Sequence, residues 1–432
     1  MTDLEKEVEA LQAEITALKV SDTPSMQAAA YVEPTSAPVS APAPAPADKI
    51  SLSSLLGPVT ISGFGDVYYG YDYNHPEDNQ SGLRAFEAPT NGFAFNMAEL
   101  ILDKPADATS AESRLGYHMS VGYGQAAKIV NGSDTAFTDG SNFYVKEAYV
   151  DYLAPIGKGL TITVGKFVTP VGAEVIESNA NWNYSRSLLF YYAIPYFHFG
   201  ASAKYAFNPK IAVTGYLVNG WNNTVINHYA PLDTGTPGLS SGLTYGVSLA
   251  YTPNAKWSVT QNYFAGPVVD QYNYTSTPTP ITDWKQLSDT VIGYTPNAKW
   301  AFQLNGDYGF GPRYYFYDES DAPTSESPAT KWWGVAAYAK YTWTPKTNFA
   351  VRYEYYDDTN GYTGVLDGTP GFAQEVTGTY SYNLTSALLV RAEYRYDFAS
   401  QPIFAKSTDG LVKEQNTAYL SFVYSFSSAN LK

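Results

Sequence analysis

The sequence predicts an all-β fold: an antiparallel transmembrane β-barrel of about 16 strands, preceded by a short N-terminal coiled-coil helix and a Pro/Ala-rich linker. Three observations support this prediction. A turn phrase recurs along the chain, and segments of alternating polar and apolar residues lie between its copies. The composition also favours strands, since 16% of residues are aromatic, 39 of them are Tyr and only 16% are charged.

The first 56 residues differ in composition from the rest. Residues 1–19 form a heptad pattern that predicts a coiled-coil oligomerisation helix, with the apolar positions Leu4, Val8, Leu11, Ile15 and Leu18. An amphipathic helix packed on a core is the alternative interpretation. Residues 20–56 predict an extended, semi-rigid linker that separates this helix from any core. No signal peptide precedes the helix, so we interpret the start as that of a mature or trimmed chain.

The recurring turn phrase YTPNAKW occurs at 251–257 and 294–300, with the variants FNPK at 207–210 and TWTPKTN at 342–348. Pro presets φ and Asn tolerates left-handed backbone, so each copy predicts a tight turn. The chain between the identical copies reads as a strand, a polar stretch and a returning strand (257–265, 266–285 and 286–295). Two strands per period exclude a propeller blade and predict the alternating short and long connections of a transmembrane barrel.

Residues 57–432 contain about sixteen segments long enough to cross a membrane as tilted strands. They lie near 58–71, 92–103, 112–124, 142–153, 160–168, 196–207, 210–219, 242–252, 256–265, 286–295, 299–309, 332–343, 347–357, 371–381, 385–397 and 414–426. An even count places both ends of the barrel on the periplasmic side.

Alternation is clearest near the C-terminus, where Arg391, Glu393 and Arg395 share one face of a strand and apolar residues share the other. A soluble sandwich gives the same period with its apolar face inward, so a soluble β-rich or surface-layer protein is an alternative. The barrel is favoured because aromatic residues stand at the turn ends, as in an interfacial girdle. These residues are Phe207, Tyr251, Trp257, Tyr294, Trp300 and Trp343.

Several other functions are disfavoured. A net charge of −15 argues against a nucleic-acid partner. Cys is absent, the four His stand far apart, and no catalytic motif is found, so we expect neither enzymatic activity nor a cofactor. The acidic loops 131–142 and 318–321 could bind Ca²⁺, although solvated loops are the simpler interpretation.

One stretch, 165–205, resembles the OmpL-like outer-membrane β-barrel porin family. The motif is G-x-x-x-T-P-x-G-x-E, then NYSRSLLF, then P-x-x-H-x-G, and here its positions are Gly165, Thr169, Pro170, Gly172, Glu174, 183–190, Pro195, His198 and Gly200. The resemblance implies a trimeric 16-stranded pore whose long loop between the fifth and sixth strands folds inward.

The function we expect is an outer-membrane porin that lets small hydrophilic solutes and ions diffuse passively through a water-filled barrel narrowed by that loop. The expected partners are outer-membrane lipid and further copies of the chain, with the coiled coil in the periplasm of a diderm bacterium. Two alternatives stay open. One is a structural anchor that tethers the envelope through the coiled coil, and the other is a substrate-specific channel.

The candidate constriction lies in 168–195, whose apolar LLFYYAIP run has no reason to sit in free water. We expect it to pack on the inner wall and to present Glu174, Glu177 and Arg186. The facing wall would carry Arg352, Glu354, Arg391, Glu393 and Arg395. Acids opposite guanidinium groups would create a transverse field and a weak cation preference. Alternatively, the arginines pair only with Glu354, Glu393 and Asp397.

Overall fold

The computed structural model describes residues 57, 59–84, 86–132, 142–226, 239–240, 242–273, 279–313, 315–317, 323–326, 328–407 and 410–430. The predicted coiled coil 1–19, with Leu4, Val8, Leu11, Ile15 and Leu18, and the predicted linker 20–56 lie outside these residues. The acidic loops 131–142 and 318–321 lie almost entirely outside them too.

Sixteen long strands form one closed antiparallel sheet, which confirms the predicted fold class. In chain order they are β1 (Thr60–Asp72), β2 (Gly92–Lys104), β3 (Leu115–Tyr123), β4 (Phe143–Ala154), β5 (Leu160–Val168), β6 (Phe197–Asn208), β7 (Ile211–Val218), β8 (Thr244–Asn254), β9 (Trp257–Asn273), β10 (Thr279–Asn297), β11 (Trp300–Phe310), β12 (Lys331–Thr344), β13 (Thr347–Asp358), β14 (Gly371–Asn383), β15 (Leu388–Ala399) and β16 (Glu414–Ser427).

The sheet closes because β1 pairs with both β2 and β16, in a register that sets Ser62 opposite Ser427. Each barrel strand therefore has a hydrogen-bonded neighbour on both sides. A closed sheet leaves no strand edge toward hydrocarbon, where an unpaired N–H or C=O group would be costly. No helix among the described residues is long and apolar enough to cross a membrane.

The strand bounds match the sequence segments closely except at β9 and β10, which continue well into the predicted polar stretch 266–285. Their pairing runs on from Gly266 opposite Lys285 to Asn273 opposite Thr279. A hairpin arm in water can be polar on both faces, so it leaves no alternating pattern to read. Short elements in the connections are an α-helix, Gln125–Gly132, and short strands at Leu239–Ser240, Tyr315–Tyr317, Pro323–Glu326, Phe404–Lys406 and Gly410–Val412.

The two faces of the barrel strands have opposite character. On β13, Val351 and Tyr353 are 50% and 46% exposed, whereas Arg352 between them is completely buried. Apolar side chains cover the outside and charged ones fill the inside, which is the reverse of a soluble sandwich. Exposed Trp257 and Trp300 stand beside the short turns, as an interfacial girdle requires.

Candidate pore constriction

The long connection 169–196, between β5 and β6, lies against the inward faces of strands on several sides of the barrel. Its apolar residues Leu188, Leu189 and Phe190 are buried. Its backbone bonds to β11 at one point, where the Ala173 N–H donates to the Asn305 Oδ1 at 2.9 Å. Its polar side chains reach the opposite wall, where the Tyr184 hydroxyl donates to Asp66 on β1 at 3.1 Å. Strands far apart in the sheet therefore hold the same loop, which we call the constriction loop.

Arg352 on β13 is the central contact between the wall and this loop. Its Nη1 donates to Glu174 Oε1 and to the Ser185 carbonyl, each at 2.6 Å, and its Nε donates to Glu375 Oε1 at 2.5 Å. Both Arg352 and Glu174 are buried. The sequence interpretation placed such acids and guanidinium groups across a passage from each other. For this pair the structure shows direct contact instead.

Two carboxylates of the wall bind the backbone of the loop. Glu354 accepts the N–H groups of Leu188 and Leu189 at 2.5 and 2.6 Å. Glu393 accepts those of Tyr184 and Ser185 at 2.5 and 2.9 Å. N–H donors satisfy a buried carboxylate as a guanidinium would. These two acids therefore hold the loop through its backbone. In the alternative interpretation they would instead pair with the wall arginines.

The remaining wall arginines also bind the loop. Arg391 donates to the carbonyls of Ser178 and Asn181 at 2.5 and 2.7 Å. Arg395 donates to the Arg186 carbonyl at 2.6 Å and to Asp397 at 2.8 Å. Of the arginine–acid pairs in the alternative interpretation, Arg395 with Asp397 is therefore present.

The other two predicted loop residues, Glu177 and Arg186, point away from these arginines. Glu177 pairs with Lys146 on β4, which also contacts Glu99 of β2 at 2.6 Å. Arg186 is buried, pairs with Glu87 of the connection 73–91, and lies over the Phe86 ring at 4.9 Å. Burial raises the pKa of the Glu87 carboxyl, and the Arg186 guanidinium partly offsets this rise. Glu177 and Arg186 thus connect the loop to other parts of the barrel.

The connection 73–91 itself, between β1 and β2, is a part of the site that the sequence interpretation missed. Arg84 is buried and its Nη2 donates to Asp397 at 2.6 Å and to the Thr417 hydroxyl at 2.7 Å. Its Nε donates to the Tyr419 hydroxyl at 3.0 Å. We call 73–91 the first loop. The signal available in the sequence was the pair Leu83 and Phe86, two large apolar residues in an otherwise polar connection.

Little space remains between the constriction loop and the wall at β11 and β12. A cavity of about 10 Å³, room for one water molecule, is lined by Ala173, Glu174, Ala180, Asn181, Trp182, Gln303 and Tyr338. Among the described residues, buried Asp and Glu outnumber buried Lys and Arg by fourteen to nine. The interior is therefore narrow here and has an excess of negative charge.

These features define a class of protein, an outer-membrane β-barrel channel with an apolar exterior and a charged, loop-filled interior. The family model described as "Putative beta-barrel porin-2, OmpL-like" matches residues 58–426. The chain belongs to this porin family, which confirms the resemblance seen in the sequence, the porin function and a location in the bacterial outer membrane. In the described parts of the chain, no group of three or more His, Cys, Asp or Glu side chains is placed to hold a metal ion together.

Solved structures of outer-membrane channels have a similar fold. The outer-membrane channel DcaP of Acinetobacter baumannii is 12% identical, with a TM-score of 0.56 and coverage of 85% of this chain and 97% of that one. The anion-selective porin from Comamonas acidovorans is also 12% identical, with a TM-score of 0.53 and coverage of 85% and 99%. No curated protein matches the sequence significantly. At this identity the neighbours support the fold alone.

Proposed function

We propose that this porin passes small hydrophilic solutes and ions by passive, non-enzymatic diffusion along a water-filled path narrowed by the constriction loop. The observation that carries the proposal is a set of hydrogen bonds in which Arg352 and Arg391 donate to that loop while Glu354 and Glu393 accept its N–H groups. Side chains on an inner wall can bind a loop in this way only if the loop lies within the lumen. Glu174, Glu177 and Arg186 then shape the narrowest part of the path.

The size and charge of the interior suggest how the path selects. A loop held across the lumen, from β11 to β1, favours a small single-channel conductance. The excess of buried acids favours cations, because a narrow passage with low-dielectric walls concentrates the potential of its fixed charges.

Single-channel recording in planar bilayers tests the proposal. The folded barrel is recognised because its migration on a gel changes when the sample is boiled. In a bilayer it should give small, stable conductance steps, and the reversal potential in a salt gradient should show a preference for cations. Folded protein that inserts and never conducts would reject the porin mechanism. A current that a particular solute blocks at low concentration would favour the substrate-specific channel.

A structural anchor is the second candidate, favoured by how closely the constriction loop packs against β11 and β12. In this case the barrel would hold the periplasmic coiled coil to the membrane, and copies would associate as a homo-oligomer, a trimer by the resemblance. Changing Leu11 and Ile15 to Lys should abolish cross-linking between the N-terminal helices and leave the barrel oligomer intact. Unchanged cross-linking would contradict the heptad interpretation.

A further inference from the structure

Two acidic residues on neighbouring strands of the barrel wall lie side by side at the base of the constriction loop. Asp289 on β10 and Asp307 on β11 are directly opposite in register, and both are buried. Side chains in such positions start about 5 Å apart at Cβ, and like charges there repel. Among the described residues, neither Asp forms an ion pair with Lys or Arg. A single buried cation would remove this repulsion.

The hydrogen bonds at the two carboxylates are very unequal. Asp289 accepts from the Nδ2 atoms of Asn262 and Asn305, each at 2.7 Å. Asp307 is only 3% exposed; its carboxyl lies against the Asp289 carboxyl and the Asn305 side chain, and neither of its oxygens accepts a donor with full hydrogen-bond geometry. A buried carboxylate without donors is costly unless a proton or a cation compensates it. Asp307 therefore points to a missing positive partner.

A third buried oxygen, next to Asp289, also lacks a hydrogen-bond partner. Asn262 is 1% exposed, and its Oδ1 also has no hydrogen-bond partner, although its Nδ2 bonds to Asp289. Asn262 is directly opposite Asp289 in register, and this oxygen belongs to the same planar amide as the bonded nitrogen, so it lies beside the Asp289 carboxylate. Two carboxylates and an amide oxygen are the hard oxygen ligands that Ca²⁺ prefers.

We propose that Asp289, Asp307 and the Oδ1 of Asn262 form a calcium site, with water completing the coordination shell. Ca²⁺ is favoured over Mg²⁺ because its coordination is larger and less regular, whereas Mg²⁺ demands near-ideal octahedral geometry. The site connects to the loop at two places. Asn262 donates to the Pro170 carbonyl at 3.0 Å, and Asn305 accepts the Ala173 N–H at 2.9 Å. Bound calcium therefore stiffens the base of the constriction loop, whether or not the barrel conducts.

Calcium binding to the full-length protein in detergent, after treatment with a chelator, tests the site by equilibrium dialysis with radioactive Ca²⁺. We expect the wild type to bind one more equivalent per chain than Asp307→Asn, and Asn262→Ala to bind that equivalent at least tenfold more weakly. Asp151→Asn, which changes a buried aspartate on β4, is the matched control and should bind as the wild type does. The double variant Asp318→Asn/Asp321→Asn should still bind the calcium equivalent that Asp307→Asn loses, because it alters only an acidic loop.

The thermal stability of the wild type is an independent measurement that needs no variant to fold. Millimolar Ca²⁺ should raise the melting temperature with a concentration dependence that equimolar Mg²⁺ does not reproduce, because a ligand that binds only the folded state stabilises it. Equal calcium binding by wild type and Asp307→Asn would overturn the proposal. The proposal would also be overturned if the wild type binds no calcium and Asp307→Asn is at least as stable as the wild type. The two carboxyls would then share a proton instead of a cation.

Discussion

Replacing Arg352 with Met removes the ion pair between the constriction loop and β13. The guanidinium is completely buried, and it bonds to Glu174, Glu375 and the Ser185 carbonyl. Met retains much of the stem, so the loss is mainly electrostatic. Glu174 keeps the Ser187 N–H but loses its ion-pair partner, whereas Glu375 keeps the Thr377 hydroxyl and Arg395, whose Nε lies 3.6 Å from Glu375 Oε2.

Breaking a buried ion pair by removing one partner costs roughly 3–5 kcal/mol. The backbone pairing of β13 with β12 and β14 does not depend on this side chain, so the cost falls on the docked position of the loop. Since about 1.4 kcal/mol corresponds to a factor of ten, the population of the undocked loop rises roughly a hundredfold or more. We expect Arg352→Met to conduct with larger and noisier steps than the wild type, and the amides of 184–189 to exchange hydrogen faster.

The matched control is the double variant Arg352→Met/Glu174→Gln, which removes the charge of the carboxylate that is left without an ion-pair partner. It should recover part of the lost protection of 184–189, because a neutral amide is cheaper to bury than an unpaired carboxylate. The prediction is refuted if Arg352→Met folds and shows wild-type conductance and wild-type exchange at 184–189. In that case the ion pair does not hold the loop.

Three further predictions concern other contacts of the two loops. Arg84→Gln should free the first loop from β15 and β16 and raise conductance, whereas unchanged single-channel steps would mean that this loop does not narrow the path. Gly172→Ala should lower the melting temperature, because φ is +91° at this residue and a Cβ would lie 2.7 Å from the Cδ1 of Ile194. The strain would be about 1–3 kcal/mol. An unchanged melting temperature would contradict this prediction. Glu174→Gln/Glu177→Gln should shift the reversal potential toward anions, and an unshifted value would place the selective charges elsewhere.

The strands could be predicted from the sequence because their signal is local. On β15, Arg391, Glu393 and Arg395 alternate with apolar neighbours, and two different solvents, lipid outside and polar surroundings inside, impose that period of two. The turns at 254–257 and 297–300 end strands through Asn254 and Asn297, whose side-chain oxygens accept the N–H groups of Lys256 and Lys299, and this signal is also local. The number, order and approximate bounds of the barrel strands followed from these signals.

The loops were less predictable because their contacts join residues far apart in the chain. The apolar run Leu188–Phe190 predicted that 169–196 packs on a surface, and we expected that surface to be the inner wall of the barrel. The sequence does not specify that Glu354 binds the Leu188 N–H. The inward position of the first loop could not be predicted, because most of 73–91 is polar. Arg84 reaches Asp397 and Thr417 only because barrel closure brings β1 next to β16.

The sequence by itself determined the barrel, the face that each strand residue occupies, the family and the loop that holds the candidate constriction. Only the tertiary structure decided the partners of the buried charges: Arg352 with Glu174, Arg186 with Glu87, and Asp289 beside Asp307. The physical reason is that strand alternation is set by each residue's own surroundings, whereas a buried charge is compensated by whichever group the closed fold places within a few ångströms, at any distance along the chain.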